Sequence, residues 1–138
     1  MKRLFIALTL ACGLAACSTA LTPRDVVLRA ADAEGEPVLV TMDLRVAAFG
    51  SDDGFLYLNA YSDYRDQRNV SIAVSSEAQA DIIAAHGPVE DLVGRRIRVH
   101  GWSRRQTIYF ISRGRQTGLY YFQTHLHVSR PDQIVVLD

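Results

Sequence analysis

The sequence holds a single lysine, Lys2, and every other cation is arginine. It has two cysteines, Cys12 and Cys17, both within the first seventeen residues. That excludes a disulfide scaffold and a cysteine-ligated zinc site in the body of the chain. No apolar run reaches the about 20 residues that a membrane-spanning helix needs. There is no Gly-x-Ser-x-Gly elbow, no phosphate-cradling glycine loop, no HExxH and no nucleophilic cysteine. A metal-dependent nuclease centre would set carboxylates beside arginine, and no carboxylate lies between Leu92 and Pro131. The chain therefore reads as a non-enzyme that calls for no cofactor.

What is present is one domain's worth of chain. The 138 residues are 49% hydrophobic, enough for a core and too many for a disordered segment. Lys2 and Arg3 precede an uncharged, mostly apolar stretch, Leu4 to Ala16, of signal-peptide length. The stretch ends in Leu14-Ala15-Ala16-Cys17, which resembles the lipobox of bacterial lipoproteins. The resemblance implies cleavage before Cys17, lipidation of its thiol and anchoring in the cell envelope. Ser18, rather than Asp, implies sorting to the outer membrane, facing the periplasm. The alternative is an ordinary secretory peptide cut after Ala16 or Ala20. The expected organisation is a signal peptide over 1–16, a lipidated tether with a short helix over 17–37, and a folded domain over 38–138.

Charge is distributed unevenly. Residues 17–91 carry five arginines against thirteen acids, and residues 92–131 carry eight arginines and no acid. One reading is an anion-binding surface. The other is internal compensation, with the basic strands folded against the acidic half.

Periodicity predicts a mainly β domain. Arg24 to Ala33 reads as a short helix. Val38 to Phe49 alternates with a period of two and reads as one long strand. Gly50 to Gly54 reads as a turn, Phe55 to Tyr61 as a second strand and Val70 to Val74 as a third. A helix over Glu77–Ala85 follows, stopped by Gly87-Pro88. Leu92 to Trp102 continues toward Ile111 as the fourth strand. Residues 113–118 read as a loop and Leu119 to Val128 as the fifth strand. A five-stranded barrel with one helix between strands three and four is the OB-fold plan. A long hairpin at about 103–122 is expected to project from it.

Four stretches strengthen that reading. They are Gly54 to Asn59, Tyr64-Arg65 with Val70 to Val74, Leu92 to Trp102, and Ser129 to Ile134. In this order they resemble a group of bacterial OB domains found in small secreted proteins and as tails of thermonuclease-like proteins. The resemblance covers about residues 38–137 and implies a fold and nucleic-acid-binding-like character, with no catalytic residue. The long segment between Trp102 and Leu126 departs from it.

The candidate ligand-binding residues fall in two sets. Tyr57, Asn59 and Tyr61 share the outward face of the second strand. Arg96, Arg98, Trp102, Arg104, Arg105, Tyr109, Arg113 and Arg115 combine cations with aromatics, the chemistry by which single strands are held through phosphates and stacked bases. His125 and His127, two apart on a strand, with His100 nearby, form a weak zinc candidate. The expected partners are the membrane, through lipid on Cys17, and single-stranded nucleic acid or another polyanion. The competing expectation is a structural lipoprotein that docks an envelope protein through the arginine and aromatic hairpin.

Overall fold

The computed structural model describes residues 19–138. Helix α1 spans Pro23–Asp32. Thr22 caps it: its hydroxyl accepts from the Asp25 amide, and the Asp25 carboxylate accepts from the Thr22 amide at 2.9 Å. Val26 and Ala30, one turn apart, are buried. Strands β1 (Val38–Arg45), β2 (Ala48–Asp52), β3 (Phe55–Asn59) and β4 (Val70–Val74) follow. Then come helix α2 (Ser76–His86), strands β5 (Arg96–Ser112) and β6 (Arg115–Val128), and a short β7 (Ile134–Val136).

The strands form one seven-stranded sheet in the order β1-β5-β6-β4-β3-β2, with β7 beside β5. All pairings are antiparallel except β4 with β6, whose parallel ladder requires the crossover through α2 and β5. The expected five-stranded closed barrel is corrected in two respects. Among the described residues the sheet has seven strands, and no ladder closes its two ends. The long first strand is divided at Val46-Ala47. Its β1 half pairs with β5 and its β2 half pairs with β3. Across the break the Val46 amide bonds to the Arg95 carbonyl and the Ala47 amide to the Asn59 carbonyl.

One face of the curved sheet carries the core. Val40, Met42 and Leu44 of β1 meet Ile97 and Val99 of β5, Leu58 of β3, Ile72 of β4 and Leu126 of β6. Helix α1 adds Val26 to this cluster, and α2 adds Ala78 and Ile82. Ala85, three residues beyond Ile82, is exposed. The loop expected over 113–118 is a two-residue turn, Arg113-Gly114, with φ of 50° and 73°. Gly114 adopts the left-handed backbone that such a hairpin turn demands, so strand pairing resumes at once with Ser112 opposite Arg115.

Candidate functional site

The outer face of the sheet is built in rows. Register aligns Tyr57 with Ala73, Ala73 with His127, His127 with Trp102 and Trp102 with Leu39. Ala73 is the smallest member and is buried, so the row dips at its centre. A groove of about 450 Å³ opens there. Phe55, Trp102, His100 and His127 line it together with Arg130 and Gln133. Trp102 is 52% exposed, because its strand neighbours Gly101 and Ser103 take the inward positions. Gln133 fixes the groove edge: its side-chain amide donates to the His100 carbonyl, and its oxygen accepts from the Ser129 and Arg130 amides.

The next row is Asn59, Ser71, His125 and Arg104. Here the sheet is covered. Asn59 is buried, and its carbonyl oxygen accepts from the Ser71 hydroxyl at 2.7 Å and from the Asn69 amide at 3.2 Å. The Asn69 side chain also accepts from the Tyr61 amide. Asn59 thus anchors the 60–69 loop instead of facing solvent. His125 is buried against the Tyr57 ring, with centroids 5.5 Å apart. Its Nε2 bonds to the Gln123 carbonyl oxygen at 2.8 Å, and the Gln123 amide donates to the Tyr121 hydroxyl. Burial, with a smaller push from His127, lowers the His125 pKa to about 4. Desolvation and Arg104 lower that of His127 as well. Burial, and then Asp52 and Asp53, raise that of the Tyr57 phenol. Both histidines are therefore neutral at pH 7.

The residues singled out in the sequence divide among three places. Trp102 stands at the groove, and Tyr57 shares its row. Tyr61 and Arg96 meet on a separate depression of about 320 Å³, beside Asp43 and Arg45. The Tyr61 ring there is covered by the Arg68 guanidinium. Arg105, Tyr109, Arg113 and Arg115 lie on the ribbon formed by the far ends of β5 and β6. Arg98 is held in a two-point ion pair with Asp43 at 2.6 and 2.8 Å, which lowers the Asp43 pKa. Arg104 donates to the Gly35 carbonyl at 2.6 Å, and Arg105 lies 4.4 Å above the Phe122 ring.

The three histidines do not assemble as a metal site. His100 Nδ1 is hydrogen-bonded to the Thr41 hydroxyl at 2.8 Å, and His125 is committed to Gln123. Among the described residues no group of three or more His, Cys, Asp or Glu side chains is placed to hold one ion. The lipidation candidate Cys17 and its leader lie outside the described residues. No described helix is long and apolar enough to cross a membrane.

Gln123, Asn69 and Ser71 were not foreseen. Asn69 and Ser71 are brought to Asn59 by the pairing of β3 with β4, whereas Gln123 lies two residues from both Tyr121 and His125 on β6.

No protein-family model matches the chain, and no curated protein matches it.

Proposed function

We propose that this chain is a non-catalytic binding module, held in the bacterial envelope by lipid on Cys17. Its ligand is single-stranded nucleic acid or a chemically similar polyanion, and the groove at Trp102 is where that ligand sits. The observation that carries the reading is Trp102 itself. It is a large aromatic left half exposed beside a groove that also offers Phe55, Arg130, His100 and His127. A base stacked on such a ring contributes about 1–3 kcal/mol, whatever its identity. Arg130 lines the groove and the charge of Arg104 reaches His127 there, which gives a phosphate backbone two cations to follow. The Arg130 ion pair with Asp132 is open to solvent on both sides and yields readily to a phosphate.

The strand order is consistent with the same reading. Taken as one bent strand, β1 and β2 connect the two ends of the sheet through Val46-Ala47. The arrangement is then OB-like, a plan that binds single strands across its outer face. In that plan the outer face of β3 and β4 would flank the ligand.

The test is fluorescence anisotropy of the full-length protein against a labelled single-stranded oligonucleotide, a duplex and an anionic polysaccharide. Binding that weakens steeply as salt rises is expected. Trp102→Ala should weaken it by about 5- to 150-fold, the equivalent of one stacked base. Binding to none of the probes would overturn the proposal. Salt-tolerant association with an envelope protein would favour the docking alternative.

A further inference from the structure

Strand β5 pairs with β1 no further than Ser103, and β6 pairs with β4 only from Thr124. Between these points residues 104–123 pair only with one another. They form a two-stranded ribbon about 30 Å long beyond the sheet. Its base is cushioned by Arg104 on Gly35 and Arg105 on Phe122. Its outer half is not. Rings cover both faces: Tyr109 packs at a tilt against Tyr120 on one, and Phe110 against Tyr121 on the other. The register shifts beyond Tyr109, and there Ile111 and Leu119 stand 65% and 70% exposed. These are the two most exposed large apolar side chains among the described residues. Arg113 and Arg115 close the end, and no carboxylate occurs anywhere in residues 92–131.

We infer that the ribbon tip is an interfacial anchor that inserts into an anionic lipid bilayer. A groove on a protein would cover one face or one edge of the ribbon. A bilayer surrounds the tip and takes both apolar faces at once, while lipid phosphates meet Arg113 and Arg115. Aromatic side chains with one polar end suit the headgroup level. The ribbon's open edges carry unpaired backbone groups, which hydrocarbon does not tolerate. Insertion therefore stops about 5–10 Å deep, at the headgroup boundary. The contact is separate from lipid on Cys17 and does not rest on the groove reading.

The experiment uses the full-length protein with Trp102→Phe and Ile111→Trp, so that the only indole sits at the tip. Leu119→Trp in the same background is the second reporter, and circular dichroism checks that each variant keeps the parent fold. Vesicles of phosphatidylcholine with and without phosphatidylglycerol are compared, some carrying brominated acyl chains. On the anionic vesicles the emission should move to the blue and be quenched by bromine. Arg113→Ala with Arg115→Ala should lower the inserted-to-free ratio of the tip about 30-fold. Lipid on Cys17 could hold the protein on any vesicle, but it would not bury the tip indole. Emission unchanged from buffer with both reporters overturns the inference. So does a blue shift produced by an oligonucleotide and not by anionic vesicles, which would assign the ribbon to a polymer.

Discussion

At His125 the environment rewrites the chemistry of one side chain. The imidazole is packed under Tyr57 and bonded to Gln123, and its pKa falls from 6.5 to about 4. The folded protein therefore binds fewer protons than the unfolded chain between those values. Stability is fully present above pH 6.5 and is lost as pH falls through 4. The loss attributable to His125 is about 3 kcal/mol, and His127 adds to it in the same direction. Asp66, whose carboxylate is held at about 2 by Arg68, acts only at lower pH. Urea unfolding at pH 7 and pH 4.5 checks this. The parent midpoint should drop between the two, and His125→Gln should remove most of the drop. An equal drop in the variant would assign the effect to other groups.

At the scale of elements, the seam between β5 and β6 holds the fold together, and two small residues permit it. A side chain at Gly101 would meet the His127 carbonyl oxygen and, at 2.8 Å, Leu126. Gly101→Ala should therefore push β6 away and cost about 1–3 kcal/mol in chemical denaturation. Ser103 is fully buried two residues on, and its hydroxyl has no hydrogen-bond partner among the described residues. Ser103→Ala should raise stability by about 1 kcal/mol, and a lower unfolding midpoint would contradict the assignment.

These elements also show what the sequence reveals. The alternation along β5 matches its faces: Ile97, Val99 and Gly101 are buried, and Arg96, Arg98, His100 and Trp102 are exposed. It missed the break at Val46-Ala47, because alternation reports which face a residue takes and not which strand it pairs with. The Arg113-Gly114 turn was hidden because an arginine carries no left-handed preference. Asn59 was placed on the correct face, but nothing local announced that the Asn69 loop would cover it. No strand was read beyond Val128, and Ile134–Val136 form β7 against β5.

At the scale of the molecule, the charge asymmetry is in part compensated internally. Arg98 is neutralised by Asp43, Arg45 faces Asp138, and Arg95 donates to the Asp138 carbonyl. The basic strands are thus partly balanced by acids distant in the sequence. Arg113 and Arg115, at the ribbon end, have no hydrogen-bond or ion-pair partner among the described residues, and the ribbon bears four arginines and no acid. Uncompensated cationic charge is therefore concentrated at the ribbon end. Groove and ribbon are separate surfaces, so losing one should leave the other's contact intact.

The most direct test of the binding account is the intrinsic fluorescence of Trp102, the only tryptophan in the chain. The full-length protein would be titrated with an unlabelled single-stranded oligonucleotide at low salt. The account predicts saturable quenching by stacked bases, reversed by salt and absent with a salt-matched buffer. Emission that stays constant while the oligonucleotide is shown to bind would place the ligand elsewhere. Constant emission with no binding would contradict the polyanion module outright.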